Sequence, residues 1–323
     1  MSAEAAVKAI TRPVKKTRKG FFWELAKNRY LYLLALPGLV FFLVFSYLPM
    51  VGLYIAFLDF NPIAGLFGFG SKFVGLYNFQ FFFTSNDWLF VTFNTIFLNV
   101  LFIVTGLAVQ IFMAVGLNEL GNKTFKRLAQ SFMYLPNFLS WTVISVFSLA
   151  IFGTDGGLLN NVLTAFGLPG MNYYQNASLW PGLLVAMRIW KGAGFGTVIF
   201  LSTISGIDQE IYEAAVIDGA SRLQSIRRIT LPMLKKTTVM LLILSIGGIF
   251  YGDFGMIYAL IGDNPLLRST TDVIDTFVYR ALRLNNDYGM SSAVGLFQSV
   301  VGFIMVISAN AIAKKLDRDS ALF

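Results

Sequence analysis

A chain of 323 residues that is 56% hydrophobic and only 13% charged, against about 25% charged in soluble domains, belongs in a bilayer rather than in water. It has no cysteine, which excludes disulfides, thiolate metal sites and a Cys nucleophile, and no histidine, which removes the commonest general base and the commonest transition-metal ligand. The formal net charge of +8 leaves nucleic acid or a membrane surface as the partner, and its distribution along the chain has to choose.

The first 30 residues form a basic polar tail, expected to be disordered or to lie on the anionic inner leaflet. Six apolar segments follow, each long enough to cross roughly 30 Å of hydrocarbon at about 1.5 Å per residue. They run approximately over 31–57, 90–118, 130–152, 181–204, 238–261 and 291–313. The first is too long for the apolar region of a cleaved signal, about 7–15 residues, and reads as a retained anchor. Asn94, Asn99 and Gln110 soften the second; the fourth carries Arg188 and Lys191, and the fifth carries Asp253. The expected fold class is all-α integral membrane, six transmembrane helices over 31–313, with a short C-terminal tail at 314–323. No internal repeat is evident.

Three long loops lie on one side. Residues 58–89 are rich in Gly and aromatics, 153–180 carry a turn and a short helix-like run in "TDGGLLNNVL", and 262–290 carry "TTDVIDTFVYRALR". In that last loop Val273, Ile274, Phe277, Val278, Ala281 and Leu282 recur at helical spacing, opposite Asp272, Asp275, Arg280 and Arg283. This predicts a helix lying on the bilayer or, alternatively, a docking surface or lid.

Orientation follows from Lys and Arg. Nineteen of the 25 lie in the N-terminal tail, near 119–129, within 205–236 and at the C-terminus; four lie on the other side and two inside the fourth span. Both termini and the 205–236 segment are therefore expected in the cytoplasm, and the positive charge reflects topology, not nucleic acid.

The polar segment between the fourth and fifth spans has its own local code. Asp208 is an N-cap, Gly219 suits a left-handed C-cap, and Ser221 with Gln224 makes a capping box. Pro232 marks a boundary or a kink. The result is helix, tight turn, helix. A DNA-binding helix-turn-helix also has such a turn, but only a few residues separate each end from a span, so no duplex could be straddled. Two readings remain: a loop that caps its neighbours, and a docking element for a soluble partner.

Glu213-Ala214-Ala215, then Gly219, then Ile229, Leu231 and Pro232 resemble, position for position, the EAA motif of permease subunits of bacterial ABC importers, with Asp218 and Ala220 flanking Gly219 as further coupling candidates. "FVGLYNFQFFF", "YLPNFLSW", "IWKGAGFGT", "DVIDTFVYR" and "SAVGLFQSVVGF" extend the resemblance, over nearly the whole chain, to the polysaccharide-type branch of the maltose-permease superfamily. The resemblance implies a non-catalytic subunit in the bacterial cytoplasmic membrane, with the 205–236 loop as a coupling helix pair. It implies a second homologous permease, two ATPase subunits, an external solute-binding protein and an oligosaccharide substrate. ATP and Mg would be bound by the ATPase partners, with no cofactor of this chain's own; no G-x-x-x-x-G-K-[ST] occurs here. A secondary transporter and a membrane enzyme acting on lipid-linked sugars are the alternatives.

Within the spans, Arg188 and Lys191 are three apart and share a helix face, and Asp253 is expected at a similar depth. They are either a buried ion pair that fixes packing, or a cationic patch that meets substrate carboxylates; Trp190 and Tyr251 either stack on sugars or fill the core. The buried cations and the overall resemblance point to an acidic oligosaccharide such as alginate. "GAGFG" at 192–196 reads as a close-packing stretch, since no strand precedes it.

Overall fold

A computed structural model describes Trp23 and residues 27–66, 70–85, 87–154 and 156–316. Most of the expected basic tail and residues 317–323 of the C-terminal tail lie outside the described residues. The chain divides into two compact units, Met1–Tyr54 and Ile55–Phe323.

The first unit carries the start of span one. Helix α1 (Arg29–Phe42) passes through a π-helical turn at Leu43–Tyr47 into a 3-10 segment, Leu48–Phe57. The π turn has a sequence cause. Pro49 lacks an N–H, and in an α-helix its ring would press on the carbonyl four residues back. In the π turn the Leu48 N–H reaches back five residues to the Leu43 carbonyl, which widens the backbone just before the proline.

The second unit opens with a two-stranded antiparallel ribbon, β1 (Leu58–Asp59) against β2 (Lys72–Phe73), pairing Leu58 with Phe73. Asn78, on α2 (Tyr77–Thr84), donates to the Ala56 and Leu58 carbonyls and ties that ribbon down. Then come α3 (Trp88–Glu119), α4 (Lys123–Tyr134), α5 (Trp141–Phe152), α6 (Leu158–Ala165) and α7 (Trp180–Ser205). The corner is α8 (Gln209–Ile217) and α9 (Arg222–Ser225), and the rest is α10 (Leu231–Ile246), α11 (Phe254–Ile261), α12 (Arg268–Thr271), α13 (Ile274–Asn285) and α14 (Tyr288–Leu316). Helices α3, α7 and α14 match the second, fourth and sixth expected spans.

The third and fifth spans are not continuous. Lys123–Phe138 and Trp141–Phe152 meet at 99°. Pro136 sits in a 3-10 turn at the bend, and Ser140 caps the new helix by accepting from the Val143 N–H. The fifth begins earlier than expected, as one helical stretch Arg222–Ile246. It then breaks over 247–253, where Gly247, Gly248 and Gly252 weaken the helix. It restarts at α11 with Asp253 as N-cap to the Met256 N–H. Pro232 therefore does not end that stretch. A second π turn, Ile226–Thr230, precedes it, with the Leu231 N–H bonded to the Ile226 carbonyl, the device seen at Pro49.

Helices α3 and α7 form the centre. Between them and α10, Ala114, Leu117, Phe200, Leu201, Ile204 and Leu234 make one buried cluster; Leu98, Phe102, Trp180, Leu184 and residues of α11 make another. The "GAGFG" stretch is where backbones approach: a Cβ on Gly194 would lie 2.1 Å from the Met133 carbonyl oxygen, and one on Gly196 2.1 Å from the Gln110 side chain. Helix α13 forms as predicted but not as a helix lying on the bilayer. Its Ile274 and Ala281 pack into protein with Phe82, Val91, Met290 and Val294.

Gly194→Val is expected to overpack the α7–α4 contact at a cost of about 1–3 kcal/mol. The melting temperature of the purified protein in detergent should fall by several degrees. Gly192→Ala, where a Cβ meets nothing within 4 Å, should leave it unchanged.

Candidate functional site: a polar cavity and a helical corner

Where the two broken spans meet α3 and α7, a cavity of about 610 Å³ opens. Asn99, Phe102 and Gln110 line it from α3, Arg188 and Lys191 from α7, and Gly248, Tyr251, Gly252 and Asp253 from the break in the fifth span. Irregular backbone at membrane depth is tolerated only where protein or cavity water satisfies its peptide groups, since each orphan in hydrocarbon costs several kcal/mol.

Side chains do that here. Asn99 Nδ2 donates to the Ile249 carbonyl at 3.2 Å and to the Tyr251 carbonyl at 2.9 Å. Gln298, from α14, donates to the Phe250 carbonyl at 2.7 Å. Asp275 Oδ2 accepts from the Gly252 N–H at 2.6 Å and from Gln298 at 3.2 Å. Gly252 is required as well, since a Cβ there would lie 2.4 Å from Val273 Cγ2. At the other break Lys191 Nζ donates to the Asn137 and Leu139 carbonyls at 2.9 and 2.7 Å, and lies 5.5 Å from the Trp141 ring centre.

Arg188 Nη1 pairs with Asp253 Oδ2 at 2.6 Å, and its guanidinium lies 4.7 Å from the Phe102 ring centre. The pair is about one-third exposed to the cavity, 38% and 30% for the two side chains. The three expected charges thus come together at one depth with separate tasks: Lys191 binds carbonyls, not Asp253. Tyr251 lines the cavity and its hydroxyl bonds to Ser299 at 2.8 Å. Trp190 is a correction: it is half exposed and absent from the cavity lining. Two residues on from Arg188 is about 200° around a helix, so Trp190 cannot share the face of Arg188 and Lys191.

The corner has the expected local structure. Asp208 accepts from the Glu210 N–H, Gly219 has φ +79°, and Ser221 and Gln224 complete the capping box. The Ala220 N–H reaches the Ala215 carbonyl and the Gly219 N–H the Val216 carbonyl, the paired bonds of a Schellman ending. Glu213, Ala214, Asp218 and Gly219 are exposed, as are Leu231 and Pro232; Ala215, Ala220 and Ile229 are half-buried. Tyr212 braces the turn through its hydroxyl to Thr230 at 2.9 Å. Three apolar side chains that motif reading did not single out, Val216, Ile217 and Leu223, stand out from the corner at 68%, 86% and 64% exposure.

A helical membrane domain with a polar cavity at two broken spans, and a soluble-looking corner carrying an exposed apolar knob, defines a transport protein. The chain belongs to the family of binding-protein-dependent transport system inner membrane components, whose model matches residues 106–318. It is 38% identical to protein LplB of Bacillus subtilis (strain 168) over 318 residues, 98% of this chain and 99% of that one. It is 37% identical to the polygalacturonan/rhamnogalacturonan transport system permease protein YteP of the same organism, with 98% of each chain covered. Among solved structures, a chain of a bacterial ABC transporter involved in import of the acidic polysaccharide alginate matches at TM-score 0.83 and 30% identity, covering 92% of this chain and 99% of that one. The protein is an integral membrane permease of the ABC type.

Burial pushes the Asp275 carboxyl up from its ordinary value of 3.8. The bonds from Gly252 and Gln298 oppose the shift and the charge of Asp253 adds to it. The fold thus favours the protonated form. This contribution is complete below pH 3.8 and is lost as the pH rises through the raised folded value. Asp275→Asn, whose amide oxygen can accept both bonds, should therefore raise the melting temperature at pH 7. The gain over the native protein should shrink as the pH falls towards 3.8.

Proposed function

We propose that this chain is one of two permease subunits of an ABC importer for oligo- or polysaccharides. In this reading it lies in the bacterial cytoplasmic membrane with both termini and the corner on the cytoplasmic side. A second homologous permease completes the translocation path, and an external solute-binding protein delivers the saccharide. Two ATPase subunits bind ATP and Mg and grip the corner. The observation that carries the reading is the corner: a capped helix pair with an apolar knob, helical without interruption from Arg222 to Ile246. A soluble groove that encloses Val216, Ile217 and Leu223 would remove apolar surface from water. Because the chain runs on into α10, a rigid displacement outside the bilayer becomes a tilt beside the cavity. Moving an equilibrium from 1:99 to 99:1 takes about 5.5 kcal/mol of differential binding, and nucleotide contributes only by favouring one state.

The substrate class is proposed as acidic saccharide. A solved homologue imports the acidic polysaccharide alginate and YteP is a polygalacturonan/rhamnogalacturonan permease. In this chain the half-exposed Arg188 faces the cavity with guanidinium donors beyond the one given to Asp253.

Glu213→Lys and Gly219→Val should insert in the membrane yet release the ATPase or uncouple its hydrolysis from uptake. At Gly219 the cause is a side chain forced to positive φ, which costs roughly 1 kcal/mol or more. Normal uptake with the ATPase attached would overturn the coupling role. A second pair separates the two cations of α7. Arg188→Gln should reduce uptake of an acidic oligosaccharide and spare a neutral one. Lys191→Gln, which leaves the Asn137 and Leu139 carbonyls short of a donor, should lower the melting temperature and reduce uptake of both.

A further inference from the structure

The outer face of α11 and α13 holds a second group of sugar-recognition chemistry that neither the cavity nor the corner uses. A cleft of about 300 Å³ is lined by Tyr258, Asp263, Tyr279, Arg280, Arg283 and Leu284. Phe254 stacks on Tyr258 with ring centres 5.1 Å apart at 14°, and Tyr279 lies against both, 4.9 Å from Phe254 and 5.0 Å from Tyr258. Arg283 Nη1 donates to both tyrosine hydroxyl oxygens at 3.2 Å.

The donor count is unusual. The Tyr258 and Tyr279 hydroxyls also bond to each other, and both oxygens accept from Arg283, so one hydroxyl hydrogen is left to point elsewhere. The Nε and Nη2 donors of Arg283 are also uncommitted among the described residues. The neighbouring arginines are neutralised: Arg268 by Asp263 at 2.6 Å and Arg280 by Asp272 through a bidentate pair. Arg283 has no carboxylate within 4 Å among the described residues. Of the charged side chains that line the cleft, Arg280 and Arg283 outnumber Asp263. The site therefore offers an aromatic wall, a fork of N–H donors and one O–H donor to a ligand rich in acceptor oxygens and carrying negative charge.

The geometry points to this cleft as a binding subsite for a carboxylated sugar unit, a uronate, whose carboxylate engages Arg283 while the sugar lies against Tyr258 and Tyr279. This rests on the reading of the chain as a saccharide permease with residues 262–290 outside. Its place in the fold fits that reading. Tyr258 lies five residues along α11 from Asp253, about 7–8 Å by helical rise, so the cleft sits close to the cavity wall and upstream of Arg188. A uronate chain could hold the cleft with one unit while another enters the cavity.

The test uses the complete importer, this chain with its partner permease and ATPase subunits, in lipid nanodiscs without the binding protein. Trigalacturonate is titrated as the acidic probe and maltotriose as the neutral one, followed by saturation-transfer NMR. The native complex should bind trigalacturonate and not maltotriose. Arg283→Gln should weaken trigalacturonate about tenfold or more. Arg283→Lys, which keeps charge but loses the planar fork, should fall between. Unchanged melting temperatures establish that each variant is folded. Equal binding by native and Arg283→Gln complexes overturns the subsite, as does the absence of trigalacturonate binding to the native complex. Affinity of the saccharide-loaded binding protein for each complex is measured in parallel. If Arg283→Gln weakens that docking and leaves free trigalacturonate binding intact, the cleft meets protein and the subsite is wrong. ATP-driven uptake of any saccharide by the native complex is scored separately, so failure of the subsite is distinguishable from failure of the transport reading.

Discussion

A peptide group in hydrocarbon must find a partner, and this constraint organises the whole membrane domain. Two spans are broken at depth, over 135–140 and 247–253. Each break frees carbonyls that lipid cannot solvate. The partners come from helices that remain whole: Asn99 on α3, Lys191 on α7 and Gln298 on α14. Unbroken helices therefore act as donors to broken ones, and the cavity is the space that this exchange leaves between them. Removing the polar residues would not produce a greasier version of the same domain. It would leave the carbonyls of the breaks unpaired, each at a cost of several kcal/mol.

This division also explains why charge can reside in the bilayer. Arg188 and Asp253 satisfy one another in a cavity wall, and Asp253 at the same time caps α11. Lys191 spends its charge on carbonyl dipoles. An isolated cation at this depth would cost at least about 2.5 kcal/mol. Two of the three charges thus have architectural tasks, and Arg188 keeps exposure to the cavity together with unspent donors.

Much of this was legible in the chain. The number of spans, the capped corner and the positive φ of Gly219 follow from local signals: apolar run length, Asp208, Ser221 with Gln224, and a glycine after a helix. The breaks were less visible. The 238–261 window is apolar enough to read as one helix, and three glycines within it weaken but do not forbid one. What decides is whether distant donors exist, and Asn99 and Gln298 lie about 150 and 50 residues away from the carbonyls they serve. Asn99 did register as a blemish in an apolar span, which is the only sequence trace such a donor leaves; Gln298 did not. Trp190 is next but one to Arg188 in sequence, yet helical direction turns it away from the cavity. The exposed Val216, Ile217 and Leu223 could have been found by asking which apolar residues of the corner its own short helices cannot bury.

The π turn at Ile226–Thr230 carries a consequence for how the corner is aimed. One extra residue in a turn shifts the angular phase of everything beyond it by about 100° relative to an unbroken α-helix. Pro232 holds that offset in place, because relaxing the turn to α geometry would drive its ring into a carbonyl. The azimuth at which Val216 and Ile217 project is thus set by a proline on the far side of the turn from them. The lever that joins the corner to α10 has a fixed dihedral setting as well as a length, so losing one residue from the turn would rotate Val216 and Ile217 by about 100° relative to α10.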